Sequence, residues 1–299
     1  MGETLVKLLP VVLGFVAGYL LRRSGVADHG DGDFLFKLMF YICVPAIMFT
    51  SLSSVTLSAA LAVFPLAAVA AVSTGFLVGR LVAWRVNWPP IQIAVLMCSC
   101  MVVNTGFELP FIQALYGAEG IARIAAFDAV NTTLTFTVVY YIAARGNPQH
   151  NGGSILLNRL ARSPALYAII AGLLVNLFGV RVPTGITSAL SVFGSASAVI
   201  ITLGVGILFE PLRRGSGKAI LAAGLRLATG FLIALVFVLA FDLQGIDRAV
   251  ILLLGVAPVG FVAVTFASLE NLDTKLAVNT LSVSLVVSLV LSLGVTLLS

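Results

Sequence analysis

The sequence predicts an all-α integral membrane protein with ten transmembrane helices, and three observations lead to this fold class. Of 299 residues, 60% are hydrophobic and only 10% are charged, whereas soluble domains carry about 25% charged residues. Mean hydropathy is +1.12. The apolar stretches are separated by short polar connections, and each approaches the roughly 20 residues that a spanning helix needs. Helices are predicted near residues 4–22, 34–52, 58–84, 90–117, 121–144, 163–180, 184–209, 218–241, 247–269 and 275–298.

The Lys and Arg residues distribute unequally across this scheme. Twelve fall on one side, four fall on the other (Lys7, Arg123, Arg181 and Arg248), and Arg226 lies within a span. Because cytoplasmic loops carry an excess of basic residues, the richer side is predicted to be cytoplasmic. Both termini then face outward from a multi-pass protein of the inner (plasma) membrane. This scattered charge explains the net +5 without a nucleic-acid partner.

The longest polar connection divides the chain into two predicted repeats of five helices. Residues 1–147 form the first repeat, residues 148–162 a cytoplasmic linker, and residues 163–299 the second repeat. Since five is odd, the two halves would enter the membrane from opposite faces, as in many secondary transporters.

Two short motifs recur at corresponding places in these halves. NTGF at residues 104–107 is matched by PVGF at 258–261, and AVNT at 129–132 is repeated at 277–280. The matches occur in the same order in both halves, which favours an inverted repeat over chance similarity.

The fourth and ninth spans contain polar, Gly- and Pro-containing interruptions, at Asn104–Pro110 and Pro258–Gly260. Proline removes a backbone donor and glycine relaxes the backbone, so both helices should unwind there. Discontinuous helices at matching positions indicate a transport site, although the prolines could instead be kinks that serve packing. The predicted substrate-binding residues are Asn104, Thr105, Gly106, Pro110, Pro258, Gly260 and Asn279.

Four polar residues of the fifth span, here called the polar face, lie on one side of a helix by their spacing: Asp128, Asn131, Thr132 and Thr135. Hydrogen-bonded packing between helices is the alternative interpretation. Ion binding or gating is predicted for Glu108, Asp128, Asn131 and Thr132, and Asn104, Glu108 and Asn131 are a conceivable Na⁺ ligand set. Glu108 could instead lie shallower, or form a static pair with Arg226.

Other polar residues of the spans are expected to serve structure. Arg226 should extend its head group to the cytoplasmic interface, with a role as counter-charge for an anion as the alternative. The serines 284, 288 and 292 of the tenth span are spaced by four and are assigned to packing.

Residues typical of enzymes are missing from the predicted spans. His29 and His150 fall in polar connections, and the three cysteines fall in apolar stretches, so neither a metal centre nor a cofactor is predicted. HExxH and the GxxxxGK[ST] motif of ATP-binding proteins do not occur. A carrier driven by gradients is therefore favoured over an intramembrane enzyme, a channel or a receptor.

Several of these motifs resemble the auxin efflux carrier family. They are VLGFVAGYLLRRSGV at 12–26, FYICVPAIMFTSL at 40–52, NTGF at 104–107 with Pro110, FDAVN at 127–131 and APVG at 257–260. The resemblance extends from the first span to the last, and Pro45 together with the paired interruptions is its most distinctive mark.

The resemblance implies two inverted five-helix repeats related to the bile acid sodium symporter fold. It implies that broken helices 4 and 9 cross near the substrate, and that interleaved scaffold and transport parts move as an elevator. It also implies a small organic anion as substrate and a homodimer in the lipid membrane. Glu108 departs from the family pattern, because a carboxylate there would repel an anion unless it binds a proton or a cation. This departure favours coupling to Na⁺ or H⁺ over the alternative, an ion-independent uniporter or channel-like facilitator.

Overall fold

The computed structural model of the protein describes residues 2–54, 59–147, 164–209 and 217–298, and the predicted linker at 148–162 lies outside them. These ranges are almost entirely helical and contain no β-strand, which confirms the all-α class. The helices are α1 (Gly2–Arg23), α2 (His29–Leu38), α3 (Val44–Ser54), α4 (Val63–Arg85), α5 (Pro90–Met101), α6 (Thr105–Leu134), α7 (Tyr140–Arg145), α8 (Pro164–Leu177), α9 (Thr184–Leu208), α10 (Gly217–Ala240), α11 (Gly245–Val256), α12 (Phe261–Leu269) and α13 (Thr274–Leu298).

Three helices of the described ranges are long and apolar enough to cross a membrane, namely α4, α10 and, over Thr274–Leu297, α13. They coincide with the third, eighth and tenth predicted spans. Large apolar side chains on them stay exposed, such as Leu77 at 64%, Leu239 at 72% and Val290 at 66%. Such surfaces are unfavourable in water and ordinary in lipid. The chain is therefore a membrane protein, while the full set of ten spans stays a prediction.

Two regions of the predicted spans depart from a single straight helix, namely the second span and the junction of the fourth and fifth spans. The second span consists of α2 and α3 joined by a π-helical turn, Met39–Cys43, and Pro45 lies in the first turn of α3. In α6 the backbone leaves helical geometry at Gly117, where φ is 54° and ψ is −140°. Glycine adopts this positive φ without the steric cost of a side chain. The fourth and fifth predicted spans thus meet at a turn located within four residues of its expected place.

One compact unit consists of Met1–Leu61, Gly106–Ala126 and Ser163–Phe209. In it α1 packs along α9, with Gly18 and Gly206 at the contact. A Cβ added at Gly18 would lie 2.2 Å from the carbonyl oxygen of Leu203, and one at Gly206 would lie 2.1 Å from that of Phe15. Glycines that permit backbones to approach closely are a common means of helix association in membranes.

The other compact unit consists of Ala62–Thr105, Phe127–Arg162 and Glu210–Ser299. Its described core is formed mainly by α5, α7, α12 and α13, with Val95, Met101 and Phe266 almost wholly buried. Each compact unit contains residues from both predicted repeats. Compactness therefore does not follow the boundary at 148–162, and the assignment of the repeats stays a prediction.

Candidate functional site

The fourth predicted span is interrupted at residues 102–104, here called the first break. α5 ends at Met101, Val102 has extended backbone angles, and α6 begins at Thr105. The interruption predicted over Asn104–Pro110 is therefore wrong in extent, because its residues after Asn104 are helical. Pro110 lies more than one turn inside α6, where it costs the helix one hydrogen bond to a preceding carbonyl without ending it.

The ninth predicted span is interrupted at residues 257–260, here called the second break. α11 ends at Val256, Ala257 and Gly260 have extended angles, and α12 begins at Phe261. Pro258 and Gly260 thus lie in non-helical backbone, as the sequence predicts.

The two breaks form hydrogen bonds with each other inside the second compact unit. The backbone N–H of Asn104 donates to the carbonyl oxygen of Pro258 at 3.1 Å, and the N–H of Gly260 donates to that of Val102 at 3.3 Å. Val103 and Val259 form an isolated antiparallel bridge and are 4% and 0% exposed. An unwound helix in an apolar environment must satisfy its backbone polar groups. Each break thus supplies hydrogen-bond partners to backbone groups of the other break that have none within their own unwound helix.

Two further residues fit the second break closely. A Cβ at Gly260 would lie 2.4 Å from Cγ1 of Val102, so only glycine fits without displacement of that side chain. Ser284 of α13 accepts a hydrogen bond from the N–H of Val259 at 3.1 Å and donates to the carbonyl of Leu281 at 2.8 Å. Ser284 therefore packs against the second break through a specific hydrogen bond, a partner that the assignment to packing did not name. Its position at the start of the buried serine series was the available signal.

Asp128 joins the polar face to the first break. Its carboxylate accepts hydrogen bonds from the hydroxyl of Thr105 at 2.8 Å, from Nδ2 of Asn131 at 3.1 Å and from the hydroxyl of Thr132 at 3.1 Å. Nδ2 of Asn131 also lies 3.5 Å from the carbonyl oxygen of Val103. Asp128 as a whole is 7% exposed, so its carboxylate is buried. Three hydrogen-bond donors around one buried carboxylate favour its ionised form.

Two oxygen atoms of the polar face complete this arrangement. Oδ1 of Asn131 and Oγ1 of Thr135 are buried and have no hydrogen-bond partner among the residues that the structure describes. Their residues are four apart on one helix and lie on the same side. Together with Asp128 they present oxygen atoms, which are the ligands that hard cations prefer.

The remaining predicted site residues divide between the two units. Gly106, Glu108 and Pro110 belong to the first compact unit, where Glu108 is fully buried in the first turns of α6. A carboxylate near the amino end of a helix complements the helix dipole. Asn279 is half-buried on α13 in the second compact unit. Binding roles for all of these residues stay predictions, including the Na⁺ ligand set with Asn104 and Asn131.

Arg226 does not extend to an interface, so that expectation is wrong. It is 2% exposed, and its Nη2 donates to the carbonyl oxygen of Leu254 at 3.4 Å. Small residues make this burial possible, because a Cβ at Gly230 would lie 2.1 Å from Nη1 of Arg226 and 2.3 Å from the carbonyl oxygen of Gly255. Its alternative role as a counter-charge stays a prediction.

Comparison with known proteins gives the family of this chain. Residues 4–296 match the family described as membrane transport protein. An uncharacterized transporter of Methanothermobacter thermautotrophicus is 30% identical over 297 residues, covering 96% of this chain and 95% of the relative. An uncharacterized transporter of Methanocaldococcus jannaschii is 23% identical over 291 residues, covering 94% of each chain. The chain therefore belongs to this family of membrane transport proteins, the auxin efflux carrier family that its motifs resemble.

Proposed function

We propose that this protein is a secondary active transporter of a small organic anion, a carboxylate, and that it couples transport to Na⁺ or H⁺. Membership of a membrane transport family gives the transporter class. The observation that carries the rest is the pairing of two unwound segments beside a buried carboxylate.

The anion would bind at the paired breaks. α12 begins directly after Gly260, and the amino end of a helix offers free N–H groups and partial positive charge to an anion. Asn104 and Asn279 would add side-chain donors, Thr105 would link the anion site to the carboxylate of Asp128, and Pro258 would keep the second break unwound. A role in transport for Gly106, Pro110 and Glu108 of the first compact unit is part of the same proposal.

The coupling ion would bind at the polar face. Asp128 supplies negative charge, while Asn131 and Thr135 supply oxygen atoms that lack partners within the described residues. A proton or a sodium ion here would compensate the charge of an anion nearby. Binding of the coupling ion and binding of the anion would then be cooperative, because each charge reduces the electrostatic free-energy cost of binding the other.

The mode of movement that we propose is elevator-type alternating access within ten helices of two inverted repeats. In support, the chain forms two compact units, each drawn from both halves. We also propose a plasma-membrane protein with both termini outside and a homodimeric assembly, as the charge distribution and the family resemblance respectively imply.

Purified protein in proteoliposomes tests this function. A thermal-shift screen of mono- and dicarboxylates, with and without Na⁺ and across pH, first identifies a ligand. Uptake of that labelled compound should saturate, show counterflow and accumulate against a gradient when the coupling ion is supplied. Uptake that does not saturate would indicate a channel, and tight binding without any flux would indicate a receptor.

A further inference from the structure

Glu270 is a second buried carboxylate of the second compact unit, far along the chain from the polar face. It follows the last residue of α12 and is 1% exposed. A buried acidic group is costly unless its oxygen atoms are bonded. Its presence at the end of a short apolar helix therefore calls for a specific role.

Two side chains at the end of the fifth predicted span bind Glu270. The hydroxyl of Tyr140 donates to its Oε1, and Nδ2 of Asn147 donates to its backbone carbonyl oxygen at 3.0 Å. The Tyr140 ring also packs edge-on against Phe266, with ring centroids 5.1 Å apart. Oε2 of Glu270 has no hydrogen-bond partner within the described ranges. The contacts thus fix both the backbone and the side chain at this end of α12.

α12 is a short rod whose two ends are both bonded to neighbours. It has nine residues, so it is about 13 Å long. At its amino end, Gly260 bonds to Val102 of the first break. At its carboxyl end, Glu270 bonds to Tyr140 of α7. Because so short a helix moves as a unit, a displacement of one end of α12 along the helix axis would also displace the other end.

The polar face and Tyr140 belong to one continuous helical segment, in which a π-helical turn leads from Thr135, the last residue of the polar face, to Tyr140. The turn spans Thr135–Val139, and the N–H of Tyr140 bonds to the carbonyl oxygen atoms of Thr135 and Thr137. Such turns insert a residue into an α-helix and commonly occur near functional sites. The turn thus sets the rotation of Tyr140 relative to the polar face.

We propose that Glu270 is a positioning residue, which through Tyr140 holds α12 in the register that pairs the second break with the first. In this role it touches neither substrate nor coupling ion. The inference deepens the proposed function, yet the position of α12 is measurable in protein that transports nothing, so the two proposals can fail separately.

Amide hydrogen exchange of the whole protein in detergent tests this role. Glu270→Leu removes the acceptor and Tyr140→Phe removes only the donor, keeping the ring on Phe266, whereas Glu270→Gln keeps an acceptor oxygen. We expect the first two variants to accelerate exchange of the amides of Asn104, Val259 and Gly260 about tenfold. The Gln variant should stay within about twofold of the unaltered protein, and the amides of α4 should not change in any of them.

Glu119→Leu is the matched control, since Glu119 is 73% exposed in its side chain and pairs only at 3.9 Å with Arg123. It should leave exchange at the breaks unchanged. Faster exchange throughout the second compact unit in Tyr140→Phe would overturn the proposal in favour of general stabilisation. A Gln variant as disruptive as the Leu variant would also overturn it, as would loss of ion-dependent uptake with unchanged exchange, which would make Glu270 an ion carrier.

Discussion

The two breaks have the same backbone arrangement and different chemistry. In each, a helix ends, three or four residues are non-helical, and a new helix begins. The first break is linked to a carboxylate, because Nδ2 of Asn131 contacts both Asp128 and the carbonyl oxygen of Val103, and Thr105, which follows the break, donates to Asp128. The second break is bonded to a neutral hydroxyl, that of Ser284.

This difference follows the sequence of the predicted repeats. The AVNT motifs align Asn131 with Asn279 and Thr132 with Thr280. The same alignment places Leu276 opposite Asp128 and Val283 opposite Thr135. The hydroxyl of Thr280 accordingly donates to the backbone carbonyl of Leu276, at 2.7 Å. Backbone pairing therefore involves both breaks, whereas the buried carboxylate of Asp128 lies beside the first.

The largest effect is expected from removal of the charged group at the first break. Asp128→Leu leaves the donors of Thr105, Asn131 and Thr132 without their acceptor, and should lower the free energy of unfolding by about 3 kcal/mol or more. Thermal unfolding in detergent measures the loss. The control is Asp242→Asn in an exposed turn, which should change stability little. Equal stability of both variants would show that the Asp128 bonds do not hold the first break.

The next largest effect concerns the close contact of the breaks. Gly260→Ala places a Cβ 2.4 Å from Cγ1 of Val102, and overpacking of this kind costs about 1–3 kcal/mol. Substrate uptake should fall with stability, because the Gly260 bond to Val102 is displaced. Gly224→Ala is matched to it, since an added Cβ there meets nothing within 4 Å. A Gly260 variant as stable and active as this control would contradict the tight pairing.

A loss of similar size is expected from the neutral partner of the second break. Ser284→Ala removes the acceptor of the Val259 N–H, and leaving that buried donor unsatisfied should cost about 1–3 kcal/mol. Ser288→Ala is the control on the same helix, because its hydroxyl has no partner among the described residues. Thermal unfolding of the pair compares them directly. A greater loss in the Ser288 variant would refute the assignment of Ser284 to the second break.

The smallest expected effect is a difference in stability between variants of Thr132 and Thr280, which occupy equivalent positions in the two AVNT motifs. Thr132→Val removes a donor to the carboxylate of Asp128 and should cost about 1–2 kcal/mol, whereas Thr280→Val removes only a bond to the backbone of its own helix and should cost well under 1 kcal/mol. Apparent affinity for the coupling ion, measured by uptake, should weaken in the first variant alone. Equal weakening in both would mean that the breaks share the ion.

The helices and the second break could be predicted from the sequence, because hydrophobic length and the Pro258–Gly260 pair act locally. The extent of the first break could not. Pro110 removes one backbone hydrogen bond from α6, but a helix tolerates the loss of one such bond beyond its first turn. The break lies instead at Val102–Asn104, where the second break supplies the backbone partners.

Contacts between residues far apart in the chain also determine side-chain positions that spacing along the sequence does not predict. The spacing of the polar face correctly grouped Asp128, Asn131 and Thr132, which bond to one another. The serine series drew attention to Ser284, but nothing in the local sequence indicated that its partner would be Val259, 25 residues earlier. Likewise, the burial of Arg226 depends on Gly230 and Gly255, which lie on two different helices.

Uptake by proteoliposomes containing Asp128→Asn tests the central claim most directly, namely that the polar face binds the coupling ion beside a substrate bound at the paired breaks. The amide keeps one acceptor oxygen, replaces the other with an NH2 donor and removes the charge. Counterflow exchange of the labelled anion should persist, while accumulation driven by the Na⁺ or H⁺ gradient should be lost. Accumulation equal to that of the unaltered protein would contradict the account.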